Sequence, residues 1–140
     1  MTENYKIIGS FIKDMSSETP DTPTYIFVRD KISKYRLNID INSNAVKDGI
    51  IEVNTIIKFS DQPEILKKAH FEITYTSIVK VDEKVSDKKE MEKIILCDVP
   101  NKIYPDLERI FLNLLTDSGY PGIKFEKKVD FTELYKQRAN

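Results

Sequence analysis

The sequence predicts an α+β fold in which an antiparallel sheet comes first and helices follow. Two observations carry this. Alternation of apolar and polar residues with a period of two runs through residues 35–41, 51–59 and 69–76, joined by short turn-like connections, as in a meander of half-buried strands. From Met91 the period becomes helical, and beyond Pro105 Leu107, Ile110, Phe111, Leu114 and Leu115 fall at the spacing of one buried face.

Along the chain, residues 5–11 are β-leaning, and Gly9-Ser10 inside them predicts a bulge or bend. Residues 18–34 read as a loop, stiffened by Pro20 and Pro23; Thr19 and Thr22 precede the prolines and are biased toward extended backbone. The loop carries Tyr25, Ile26, Phe27 and Val28, which either fold down into the core or stay outside as a surface. In the strands that follow, Leu37 and Ile39 share a face, as do Ile51, Val53, Thr55, Ile57 and Phe59, and then Phe71, Ile73 and Tyr75. Turns are expected at residues 42–49 and near Asp61-Gln62-Pro63.

The charged segment 80–92 reads as a strand end running into a flexible connection. Pro100 and Pro105 interrupt the helical pattern beyond it, so Pro105 is expected in the first turn of a new helix, ended by Gly119. Tyr104 and Leu112 widen that helix's apolar stripe and hint at a second partner, while a singly exposed leucine would be ordinary. Asp130-Phe131-Thr132-Glu133 has capping-box spacing and starts a short helix presenting Phe131, Leu134 and Tyr135.

Composition bounds the function. A chain of 140 residues fits one domain able to bury roughly two thirds of its unfolded surface. With 22 basic and 23 acidic residues, a net charge of −1 supplies no field for nucleic acid or an anionic membrane. The doublets Lys67-Lys68, Lys88-Lys89 and Lys127-Lys128 lack an aromatic stacking pattern. The N-terminus has no basic or apolar leader and no apolar run could cross a bilayer, so a cytoplasmic protein is expected. Four scattered glycines form no phosphate cradle. One cysteine, Cys97, and one histidine, His70, make neither a disulfide nor a zinc site, and no pair nominates itself for catalysis; no cofactor, metal or enzymatic activity is expected.

The opening FIKDMSSETPDTP resembles the Y-x-K-D-x-S-F-E-x-P-x-A-P opening of the SecB family. CDVPNKIYPDLERIFLNLLTDSGYPGIKFEKKVDFTELY resembles its C-P-x-x-L-F-P-x-x-R, G-[GT]-[FY]-P and D-F-x-x-L-[FY] elements, in the same order, so the likeness spans nearly the whole chain. The resemblance implies a four-stranded antiparallel sheet with two C-terminal helices packed on one face. It also implies assembly into a homotetramer, a dimer of dimers with long helices between two eight-stranded sheets. The implied activity is that of an ATP-independent chaperone. It would hold unfolded preproteins in apolar grooves and hand them to the SecA motor. On that reading Tyr25, Phe27, Leu37, Ile39, Phe131, Leu134 and Tyr135 contact clients, and Asp14, Glu18 and Glu72 dock SecA. Phe71, Ile73, Tyr75, Ile110, Phe111 and Leu114 build the tetramer interface. Core packing is the competing role for the client residues, above all for Leu37 and Ile39, and a solvated surface carboxylate is that for the acids.

Three departures from the family weaken the expected SecA docking: near-neutral charge, His70 where an apolar residue often stands, and an ending Gln137-Arg138-Ala139-Asn140 in place of an acidic tail. A SecB-like chaperone for another client, such as an antitoxin, is one alternative. A small-molecule or lipid carrier, with the aromatic loop closing one pocket, is another.

Overall fold

The computed structural model describes residues 4–61, 68–125 and 129–139. Four strands, β1 (Tyr5–Glu18), β2 (Arg36–Lys47), β3 (Ile50–Ser60) and β4 (His70–Val81), form one antiparallel sheet in the order β1-β4-β3-β2. The meander of β2, β3 and β4 is as the alternation predicted, but β2 runs on through Lys47, so the turn expected at residues 42–49 shrinks to Asp48-Gly49. The turn expected at Gln62-Pro63 lies outside the described residues, as do Lys67 and Lys127-Lys128.

Strand β1 runs seven residues past the expected end at Phe11, and Glu18 still faces His70 across the ladder. Its register slips twice, between Ile7 and Gly9 and between Ile12 and Asp14, so the bend expected at Gly9-Ser10 has a second one beyond it. As an edge strand it is exposed along most of its length, so its sequence lacks the clean alternation of a half-buried strand.

The prolines at residues 20 and 23 do not keep the following segment extended. Asp21 has φ −158° and ψ 170° and accepts a hydrogen bond from the Thr24 amide at 2.8 Å, which caps helix α1 (Thr22–Arg29). Pro23 sits in the first turn, where a missing N–H costs nothing. Thr24 and Val28, four residues apart, turn inward and are buried, so Val28 belongs to the core rather than to an apolar surface. A short 3₁₀ turn (Ile32–Lys34) buries Ile32 and delivers Tyr35, whose hydroxyl accepts the Ala69 amide at 2.9 Å.

After β4 the chain is helical almost continuously from Lys88 to Asp117, not a flexible connection followed by a broken helix. Helix α2 (Lys88–Lys93), capped by Asp87, passes into a π turn (Ile94–Asp98) and on into α3 (Val99–Asp117). The Val99 amide reaches back to the Ile94 carbonyl, one residue further than in an α-helix, which lets the run absorb Pro100 just beyond it. Pro105 lies inside α3 on its exposed side, where one lost backbone hydrogen bond is least costly. Helix α4 (Phe131–Ala139) starts where predicted, with the Asp130 carboxylate accepting the Glu133 amide at 3.2 Å.

The core lies between the inner sheet face and α3. Leu107, Phe111 and Leu115 are fully buried against Ile57, Phe59, Phe71 and Ile73, and Phe59 meets the Phe111 ring edge-on at 6.1 Å. Phe71, Ile73, Tyr75 and Phe111, expected at a tetramer interface, are therefore core residues of the single chain; Ile110 and Leu114 are half-buried. The expectation missed this because the same inward alternation serves either partner. In urea unfolding, Phe71→Ala should lose about 3–5 kcal/mol of stability, and Leu114→Ala clearly less, because its site is already part solvent.

Candidate functional site

Helix α3 ends in a Schellman motif: the Tyr120 amide bonds the Leu115 carbonyl at 2.9 Å and the Gly119 amide bonds that of Thr116 at 3.1 Å. Gly119 has φ 101°, a left-handed conformation that suits glycine. Its bare Cα face is where α1 seats itself. The Tyr25 ring lies so close that a Cβ on residue 119 would come within 2.7 Å of it, and the Tyr25 hydroxyl donates to the Gly119 carbonyl at 2.8 Å. Tyr120 extends the seat, with its ring 5.3 Å from Tyr25 and 5.4 Å from Phe71, and its hydroxyl 2.9 Å from that of Thr19. The crossover between β1 and β2 is thus pinned to the far end of α3.

With Thr24 and Val28 inward and Tyr25 seated, the other two apolar residues of α1 are less covered. Ile26 is 54% exposed, and Phe27 is half-buried beneath the Lys31 ammonium at 5.3 Å. Leu37, Ile39 and Ile41 line the inner face of edge strand β2 and are only partly covered. Phe125 approaches them from the segment after α3, with its ring 5.8 Å from Phe59, the residue that Leu37 faces across the ladder. A groove of about 760 Å³ continues along α3, walled by Tyr104, Glu108, Leu112, Phe125 and Val129.

The other client-facing expectations fall at the opposite end of α3. From Tyr104 to Gly119 is fifteen residues, so the two ends stand roughly 22 Å apart. Phe131 is 1% exposed, its ring edge-on to Tyr104 at 5.4 Å, so it is a core residue rather than an outward one. The reason is local: the Asp130 cap turns the first helical side chain inward. Leu134 does face out, and Tyr135 is half-buried with its hydroxyl donating to the Lys89 carbonyl at 3.4 Å. The Tyr104 hydroxyl is buried with no partner among the described residues, and burial, with the nearby Glu108 charge, pushes its pKa up to about 12.

On the outer sheet face the register sets Asp14, Glu18 and Glu72 on neighbouring strands, with Ser16 opposite Glu72 and Glu18 opposite His70. Asp14 and Glu18 are exposed; Glu72 lies 3.4 Å from the His70 ring and 3.9 Å from the Lys58 ammonium. Among the described residues no cluster of ligating side chains could hold a metal ion, and no helix is long and apolar enough to cross a membrane.

Sequence reasoning missed Phe125 and Val129 as groove walls. Ile123 and Phe125 alternate with Lys124, a short period-two signal overshadowed by the lysines around it. It also missed the edge: Ile8, Phe11, Ile12 and Met15 of β1 are each 42–49% exposed. In thermal unfolding, Gly119→Ala should lose about 2 kcal/mol or more, since the new methyl group meets both an unfavourable φ and the Tyr25 ring.

The family model for SecB, described as preprotein translocase subunit SecB, matches residues 1–140. A chain of Pelagibacter ubique (strain HTCC1062), which bears the protein-export SecB name provisionally, is 95% identical over the full length of both. Protein-export protein SecB of Rhodospirillum rubrum is 26% identical over 95% of this chain and 81% of its own. A solved SecB-like chaperone from Mycobacterium tuberculosis, in complex with a ChAD peptide from an antitoxin, superposes with a TM-score of 0.68 over 90% of this chain and 91% of its own, at 10% identity. At that identity the match speaks for the fold; the full-length family match and the near-identical relative make this chain a member of the SecB family of protein-export chaperones.

Proposed function

We propose that the chain is an ATP-independent holdase that binds unfolded preproteins through the apolar strip running from α1 past β2 and Phe125 into the groove on α3, and delivers them to SecA in the cytoplasm. The observation that carries this reading is the exposed Ile26 beside half-buried Phe27 on α1, a surface continued by half-covered Leu37 and Ile39. Exposed and half-exposed apolar residues that share a surface suit a partner of loose sequence demands. Each client side chain buried there gains about 25 cal/mol per Å², offset by ordering, so one contact alone binds weakly.

Assembly supplies the rest. Edge strand β1 leaves Ile8, Phe11, Ile12 and Met15 exposed beside unpaired backbone groups, a surface that isolated proteins avoid and that a second copy would cover. Pairing there fits the eight-stranded sheets of a dimer of dimers, with half-exposed Ile110 and Leu114 available between dimers. Several strips on one tetramer make a client's later contacts intramolecular and raise avidity by about a hundredfold or more.

Asp14, Glu18 and Glu72 are the proposed SecA contacts. Glu72 shares its space with the Lys58 ammonium, which lowers the local negative charge and favours a second reading, a SecB-like chaperone committed to a different client. Native mass measured together with aggregation of an unfolded substrate, without nucleotide, tests the holdase. A tetramer that suppresses aggregation is expected, and a monomer that does not protect would end the proposal. The variant Ile26→Ser should lose protection severalfold while melting close to wild type, because Ile26 is exposed. A pull-down with the C-terminal zinc-binding tail of SecA at low salt decides between export and the second reading.

A further inference from the structure

Helix α4 is held on by very little. Thr132, Glu133, Leu134, Lys136 and Gln137 are exposed, and the one buried side chain described on the helix is Phe131, at its first position. Among the described residues, the side-chain hydrogen bonds that tie it down beyond that ring are those of the Thr132 hydroxyl with the Cys97 thiol at 3.4 Å and the Asn101 amide at 3.1 Å, and of Tyr135 with the Lys89 carbonyl at 3.4 Å. A nine-residue helix is not stable by itself, so its position depends on those contacts.

What lies beneath the anchor is unfavourable to it. Tyr104, the ring on which Phe131 rests, has its hydroxyl buried with no partner among the described residues, an arrangement that penalises the closed state. Tyr104 and Asn101 also line the groove on α3, as does Val129, which leads into α4. The same side chains therefore form the end wall of the groove and the seat of the helix.

The geometry points to α4 as a hinged lid on the client groove. It would lift about the Asp130 cap when an extended apolar segment enters, freeing Phe131 to join the binding surface and giving water access to the Tyr104 hydroxyl. This rests on the holdase reading for its ligand but not for its mechanics. Filling the groove with a segment that binds the lifted state better than the closed one shifts the population toward lifting.

Cys97 reports the motion, since it is the chain's one cysteine, is buried, and touches Thr132 of α4. The experiment is the rate of maleimide labelling of the full-length protein, with and without reduced, carboxymethylated α-lactalbumin, whose own thiols are blocked. Labelling should accelerate about tenfold or more when a state populated at a few per cent becomes the main one. An unchanged or slower rate with co-eluting α-lactalbumin would overturn the lid. Phe131→Ala should accelerate labelling without any client, with sheet signal retained by circular dichroism. Tyr104→Phe, which keeps the ring and removes the buried hydroxyl, should slow it; a rate at or above that of the unaltered protein would also overturn the proposal. Should α-lactalbumin fail to co-elute, the holdase reading falls, while the two variants still decide whether α4 is a lid.

Discussion

The contact between the Tyr25 ring and the bare face of Gly119 decides which of this chain's apolar residues are consumed by its core and which remain outside. Gly119 supplies a backbone with no Cβ at the end of α3, and Tyr25 fills the space, closing the contact with a hydrogen bond to the Gly119 carbonyl. Once Tyr25 is seated, the 100° step of a helix turns Thr24 and Val28 under, points Ile26 to solvent and leaves Phe27 half-buried on the flank of the inward face. The crossover is then a rigid bracket rather than a floppy aromatic loop. A rigid apolar surface loses less conformational entropy on binding than a disordered one.

The sheet has a complementary imbalance. Helix α3 covers the middle of the inner face, where Ile57, Phe71 and Ile73 disappear from solvent, but the edge strands receive less cover. Half-exposed Leu37, Ile39 and Ile41 on β2 and exposed Ile12 and Met15 on β1 follow from one helical layer spanning too narrow a width. A chain with 40% apolar residues could have spent more of them inside. Leaving them at both flanks is the physical basis for reading this SecB-family member as a binder of other chains.

Much of this was legible in the residues. Alternation located β2, β3 and β4, the helical period located the buried face of α3, and Gly119 marked its end. What failed did so for identifiable reasons. The prolines were read as biasing their neighbours toward extended backbone, whereas Asp21 ahead of Pro23 made the segment a helix start. Pro100 was read as a break, whereas a π turn preceding it kept the run intact. For the site, a spacing rule says that Phe131, Leu134 and Tyr135 share a helix, not which of them meets the core. Only the Asp130 cap and the position of Tyr104 settle that Phe131 turns inward. Phe71 and Phe111 were placed on the right face but assigned to the wrong partner, because inward alternation cannot distinguish the chain's own helix from a neighbour's.

Amide hydrogen exchange of α1 in a Tyr25→Ala variant tests the bracket most directly. If the ring on Gly119 holds the helix, amides of residues 22–29 should lose protection by about tenfold or more while β3 and β4 keep theirs. Protection of α1 at the level of the unaltered protein, or an equal loss throughout the sheet, would contradict the account.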